Sequence, residues 1–327
     1  MLGFDVANAY FSNTIQQPHL LSKQRRKKLM KIFLTPFLIL IANVAISQNP
    51  DQALTRIKYH FIHIQDTTRS SGPHQENMVM LIGKNASVYT SFDDINKSIA
   101  RNKLMLEMAK SLDPGLVSIQ VERKGLDTEG LAYFYFATEN KFFTKERVYH
   151  SYIIEENAPK INWKITSDTA SFSGIICKKA TADFLGRRWN AWYAPELPFQ
   201  SGPWKLNGLP GLIIDAYDEK KEVQFQFAGM ETLIHQTKNP NHAEPKLTDS
   251  DVSLIQSTII QLPSNTIKTT KSKLDKLKEV RDKDPKGFMN AQMSSSGVKY
   301  SATTTSPSTI VQKKGIINNP IELKANK

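Results

Sequence analysis

From residue 57 to residue 227 most of the chain alternates apolar and polar positions with a period of two, the rhythm of half-buried strands. Ile57, Tyr59, Phe61 and His63 alternate with Lys58, His60, Ile62 and Ile64. Met78–Ile82 and Ser87–Ser91 flank the polar turn Gly83-Lys84-Asn85 and read as a hairpin. Helical spacing then intervenes once. Asp93-Asp94 offers an N-cap, Ile95, Ile99, Leu106 and Ala109 recur near the helical period, and Pro114-Gly115 stops the run, so a helix is expected over 94–112. Period two returns in Leu131–Ala137, Phe142–Ile154 and Ile161–Ile165. It continues in Gly174–Phe184 and Arg187–Tyr193, joined at Gly186, and in Val223, Phe225 and Phe227. Many short strands with few helices predict a mainly β fold with minor α: a single large curved antiparallel sheet or an open barrel. One packed helix near 94–112 and a charged C-terminal helix near 266–283 complete the expected elements.

The segment Gly202–Asp218 interrupts this rhythm with two closely spaced turn signals. Asn207-Gly208 suits a tight turn with positive φ. Pro210-Gly211 suits the centre of a type II turn, Pro fixing φ and Gly taking the positive value. Leu212–Ile214 leaves the turn as a buried strand. Beyond residue 238 the composition becomes polar, and Ser294–Ser308 is rich in Ser and Thr. Residues 238–327 are therefore expected to be a less ordered C-terminal appendage of a single β-rich domain spanning 48–327.

Charge sharpens the N-terminal reading. Of the net +12, residues 1–47 carry +5, from six Lys/Arg against Asp5, leaving +7 thinly spread over the rest. The basic cluster Lys23–Lys28 and Lys31 precede the apolar run Ile32–Ile46, which ends in the small-residue exit Ala45-Ile46-Ser47. That pattern predicts a signal peptide over 30–47. The run is about fifteen residues, short of the ~20 a spanning helix needs, so no transmembrane span is expected in the mature chain. Residues 1–29 read as a non-structural extension ahead of Met30 as the initiator. No basic-aromatic module accompanies the charge, so a nucleic-acid partner is not expected.

These residues resemble the GLPGLI family, exported proteins of Bacteroidetes. The hexapeptide stands complete as Gly208-Leu209-Pro210-Gly211-Leu212-Ile213. Further segments agree in order: Ile161–Ile165, Gly174 with Cys177–Ala180, Gly186-Arg187, Trp189–Tyr193, Pro195–Pro198, Gly202–Trp204 and Asn318–Leu323. The resemblance covers roughly residues 50–325 and implies export and a β-rich fold. It brings no established activity and no catalytic residue.

No nucleophile–base pair and no metal-ligand spacing stands out, and no cofactor is expected. The single cysteine, Cys177, excludes an internal disulfide and reads as a small buried hydrophobe. His60 and His63 fall on opposite faces of a strand and so do not make a metal site, and His74 reads likewise as an ordinary strand or loop histidine. Asp215, Asp218 and Glu219 form a possible carboxylate cluster, although Asp218–Lys221 reads more simply as a solvated hairpin turn. Arg187 and Arg188 read as solvated hairpin arginines, with anion binding by Arg187 as the sharper alternative. Among Trp189, Trp192, Tyr193, Phe199 and Trp204, only Trp204 sits where a turn can present it as a recognition anchor. The expected function is that of a noncatalytic exported binding protein of the periplasm or cell envelope, with an apolar ligand or an envelope protein as partner. The alternative is a structural or assembly protein of the outer envelope, and an envelope hydrolase ranks last.

Overall fold

The computed structural model describes residues 50–68, 72–111, 130–233, 258–295 and 317–323, all within one compact unit, Pro50–Lys327. The extension and signal-peptide readings, the polar stretch 238–250 and most of the Ser/Thr-rich segment lie outside the described residues. No described helix is long and apolar enough to cross a membrane.

Period-two segments become strands, as the alternation requires. The first are β1 (Asp51–His63), β2 (His74–Gly83) and β3 (Ala86–Ser91), followed by helix α1 (Phe92–Ser111). Next come β4 (Ala132–Phe136), β5 (Lys141–Val148), β6 (His150–Asn157), β7 (Lys164–Phe172), β8 (Ile175–Phe184) and β9 (Arg187–Ala194). β10 (Leu212–Asp218) and β11 (Val223–Thr232) form the last long hairpin, and the short β12 (Ile259–Ile260) and β13 (Ile267–Thr269) precede α2 (Lys271–Lys283) and α3 (Pro285–Ser295). Twelve strands form one path, β13-β6-β5-β4-β3-β2-β1-β11-β10-β9-β8-β7, with β12 beside β1. Among the described strands every pairing is antiparallel except β13 with β6. The two ends do not pair, so the sheet is open rather than a closed barrel.

Directly opposite residues in an antiparallel pair point to the same side. The register therefore sorts the core into two faces. Leu81, Val88, Phe134 and Phe143 are consecutive cross-strand partners and lie together on one face, with Ile153 and Ile260. Ile57, Met80, Tyr89 and Tyr133 form the corresponding row on the other, and Phe61 pairs with Phe225 beside them. That second face is strongly bent. Trp204, in the loop after β9, lies 5.6 Å from Trp189 of β9 and shares two pocket walls with Tyr133 of β4. Six strand steps separate β4 from β9, roughly 29 Å in a flat sheet, more than an indole can bridge. The sheet wraps around the 199–211 loop. Ala216, Ala191 and Ala180, consecutive partners beyond Phe225, are the small residues that make room for it.

Several element ends move from their expected places. Helix α1 starts two residues early because Ser91, not Asp93 or Asp94, caps it, its hydroxyl oxygen accepting from the Asp94 amide at 3.0 Å. The stretch Phe142–Ile154 is two strands, broken at Tyr149, whose φ is 70°. Asp284 caps α3 and Pro285 occupies its first position. The described part of the C-terminal third is built into the sheet. β12 extends β1, β13 extends β6, and Leu274 and Phe288 of α2 and α3 bury against Val148 and Ile154.

Candidate functional site

The bent face does not fill completely. A cavity of about 440 Å³ remains between β1, β2, β3, β11 and the segment Ile317–Leu323. Its apolar wall follows from the cross-strand pairs: Phe61, Met78, Tyr89, Tyr133 and Phe225 share the face, and Trp204 closes one side. Phe61 and Phe225 stack at 5.2 Å between centroids, and Phe225 lies edge-on to Tyr89 at 6.1 Å.

The polar wall comes from the same strands. Phe61 is opposite Glu76 and His63 is opposite His74, so the pleat that points Phe61 inward also points these three inward. Glu76 is buried; one oxygen accepts the Ser91 hydroxyl and the other lies 3.3 Å from His74 Nε2. His63 is buried, and its Nε2–H donates to the Asn319 carbonyl at 2.7 Å. Burial is the main cause that lowers the His63 pKa, with the nearby Arg187 charge adding to it. The ring is therefore neutral near pH 7 and Nδ1 is its acceptor nitrogen. Burial also raises the Tyr89 and Tyr133 hydroxyls well above their ordinary range, and among the described residues the Tyr89 hydroxyl has no hydrogen-bond partner.

Segment 317–323 crosses the sheet as a strap, and Arg187 is what holds it. The guanidinium is buried, contrary to its reading as a solvated hairpin arginine. Nη1 donates to Asp218 at 2.7 Å and to Glu222 at 3.2 Å. Nη2 donates to Asn319 Oδ1 at 2.6 Å and the Pro320 carbonyl at 2.8 Å, and Nε donates to the Ile321 carbonyl at 2.8 Å. All five N–H donors of the fork are matched by groups of the same chain, leaving none for an external anion. Gly186 supplies clearance: its φ is +77°, and a Cβ there would lie 2.7 Å from Leu323 Cβ. Asn318 and Asn319 complete the hold, their amides donating to the Gln65 carbonyl at 3.1 Å.

The Gly208–Ile213 hexapeptide is not among the residues that line the cavity, and it serves geometry. Gly208 has φ +84°. The second turn is tighter than the expected type II, because the Gly211 amide bonds the Leu209 carbonyl at 2.8 Å, closing a three-residue turn over Pro210. Gly211 has φ +152°, and a Cβ there would fall on the Ala194 carbonyl, 2.8 Å from its carbon. Leu212 and Ile213 then enter β10, where the register shift between Ile213 and Asp215 leaves Ile214 as the extra residue of a bulge. The strained side chain of this region is one the turn signals did not mark: Trp204 has φ 55°. It is not presented to solvent as a loop anchor but is 4% exposed, stacked on Phe225 and lining the cavity.

The other candidates separate. Asp218 is not solvated: it is buried, accepting from Arg187 and the Val223 amide, while Glu219 is exposed. Asp215 lies in a smaller hollow with Phe172, Tyr217 and Phe227; burial pushes its carboxyl up to about 6 against the Phe227 amide. Asp215 and Asp218, three apart in a strand, point to opposite faces and make no pair. Cys177 is buried, and burial pushes its thiol up to about 11, the reverse of a reactive thiolate. Among the described residues no group of three His, Cys, Asp or Glu could hold a metal ion. The sequence marks Trp204 as a candidate but reads His63 and His74 as ordinary strand or loop histidines, does not bring the three together, and passes over Glu76.

No protein-family model matches the chain, and no curated protein does. Two solved structures of PNGF-II, in the P21 and C2 space groups, align at 12% identity with TM-scores of 0.43 and 0.42. Each alignment covers 68% of this chain and 32% of the other, so the chain spans about a third of the length of that protein.

Proposed function

We propose that this protein is a noncatalytic binding protein that takes an apolar small molecule into the cavity between the bent sheet and the strap. The observation that carries the reading is the cavity itself. Its volume of about 440 Å³ falls within the ~300–1,000 Å³ of ordinary small-molecule sites, and it opens to solvent, so a ligand can enter. Its lining of aromatic walls with a few convergent polar groups is the usual composition of a small-molecule site. The strained φ of Trp204 belongs to the same wall, and strain of this kind collects at ligand sites.

The proposal includes export to the periplasm or cell envelope, which rests on the Lys23–Ser47 pattern, and membership of the GLPGLI family, which rests on the ordered motifs. It is tested by native mass spectrometry of protein purified from its own envelope. The expected result is an adduct on the order of a few hundred daltons, the size such cavities hold. Ile317→Arg, at the half-exposed rim, should remove the adduct without lowering Tm. A bare mass in repeated gentle preparations refutes the reading.

A further inference from the structure

The charges around the cavity are unevenly balanced. Lys271 and Glu322 both line it, but Lys271 pairs with Asp275 at 3.5 Å and Glu322 with Lys205 at 2.8 Å. Arg187, the buried cation that holds the strap, is committed to Asp218 and Glu222. Of the two carboxylates among the described lining residues, Glu76 is the one not paired with a lysine or arginine. It is 7% exposed, and its two partners are a neutral hydroxyl, Ser91, and a histidine, His74, whose side chain is one-third exposed. Neither partner is a permanent cation, and Lys97, whose charge reaches Glu76, is largely exposed to solvent and paired with Asp94 at 3.2 Å. A buried carboxylate without one is costly, and a bound positive charge relieves that cost.

The rest of the lining favours the same sign of charge. Five aromatic rings run in contact beside Glu76. Phe61 stacks on Phe225, Phe225 meets Tyr89 at 6.1 Å and Trp204 at 6.4 Å, and Tyr89 meets Tyr133 at 6.4 Å. Ring faces are electron-rich and attract cations, most strongly when desolvated. His63 adds an acceptor, because its Nε2–H is spent on Asn319 and its neutral Nδ1 carries a lone pair. The Tyr89 hydroxyl oxygen, without a partner among the described residues, can accept as well.

We propose that the cavity is selective for an organic cation: an amine or ammonium group set against Glu76, with its apolar body lying along the wall from Phe61 to Trp204. This rests on the small-molecule reading above and narrows it to one class of ligand.

The test compares three probes with the same chain, octylammonium, 1-octanol and octanoate, by isothermal titration at pH 7 and by quenching of tryptophan fluorescence. Octylammonium is expected to bind at least tenfold tighter than octanol, with octanoate weakest. Glu76→Gln keeps an acceptor for Ser91 but loses the charge, and should bring octylammonium to within about threefold of octanol. Should Glu76→Gln fail to fold, the ranking on the native protein decides by itself. Equal binding of octylammonium and octanol, tighter binding of octanoate, or an unchanged preference in a folded Glu76→Gln overturns the cation proposal and leaves the apolar-ligand reading standing. Failure of all three probes, together with a bare native mass, overturns both.

Discussion

Gly208 and Gly211 lie three residues apart in the same pair of turns, yet substitution by alanine should affect them very differently. At Gly208 the backbone has φ +84° and an added Cβ meets nothing within 4 Å. Gly208→Ala therefore costs the left-handed penalty alone, ~1–2 kcal/mol. At Gly211 the φ of +152° lies in a region nearly reserved for glycine, worth ~1–3 kcal/mol. The new Cβ would also lie on the Ala194 carbonyl, 2.8 Å from its carbon and 3.0 Å from Pro195 Cα. Those are backbone atoms at the end of β9, which cannot rotate away as a side chain can, so overpacking adds ~1–3 kcal/mol. Gly211→Ala should cost about 2–6 kcal/mol, and Gly211→Val more.

Urea unfolding followed by tryptophan emission measures the difference directly, because Trp189 and Trp204 are both buried and lose their apolar surroundings on unfolding. Each kcal/mol corresponds to ~2–4 °C in Tm for a domain of this size, so thermal melts should separate the two variants as well. Equal midpoints for Gly208→Ala and Gly211→Ala, or the reverse order, would refute the argument that close approach to β9 is why glycine stands at 211.

Two further predictions concern pH. Burial raises the Asp215 carboxyl from 3.8 to about 6, so the folded state holds this proton more tightly than the unfolded chain does. Stability is then lost as pH rises from about 4 through about 6, by at most about 3 kcal/mol for a two-unit shift. Asp215→Asn should raise Tm at pH 8 and leave it nearly unchanged at pH 4; a parallel pH–Tm curve for the two proteins defeats this. His63 has the opposite dependence: its folded pKa is lowered from 6.5, so its contribution is present above pH 6.5 and fades as the unfolded state takes the proton below it. His63→Gln should flatten the acid side of the stability profile between pH 6.5 and 5, and an unchanged slope there counts against the buried neutral ring.

The strands were legible because one face of each is buried and the period of two follows from that. Where both faces are wet the signal vanished. β7 is an edge strand whose residues are mostly exposed, so Lys164–Phe172 shows no alternation, and the expected strand at Ile161–Ile165 fell mostly before it. Trp163 explains the shift, since its indole donates to the Asn207 carbonyl at 2.8 Å and holds that stretch to the loop. The site was much less legible. Period two places His63, Glu76 and Phe61 each on a face of its own strand, but nothing local says that β1, β2 and β11 lie side by side in that register. Arg187 was misread for the same reason. Its partners come from the β10–β11 hairpin and from residues more than 130 positions away, and an arginine beside a hairpin glycine is solvated unless such partners arrive.

The strap can be separated from the buried ion pair by the choice of substitution at Arg187. Arg187→Ala removes both, leaving Asp218 buried without its cation, a cost of ~3–5 kcal/mol. Arg187→Lys returns a charge to Asp218, but one ammonium cannot reproduce a planar fork that serves Asp218 on one side and Asn319, Pro320 and Ile321 on the other. The lysine variant should therefore recover part of the Tm and little of the strap. Hydrogen exchange reports the two effects apart. The Asn318 and Asn319 amides bond the Gln65 carbonyl and the Leu323 amide bonds the Leu185 carbonyl, so their protection follows the strap, while amides between β1 and β2 follow the sheet. Protection at 318, 319 and 323 should fall in both variants, with the sheet amides slowed as in the native protein for Arg187→Lys. If lysine restores strap protection fully, the guanidinium geometry is not what holds it. Pro320, Ile321 and Glu322 also line the cavity, so a strap that exchanges freely should bind the cavity's ligand more weakly. Ligand added to the native protein should in turn slow exchange at the same three amides, because the two effects are one coupling free energy measured from either side.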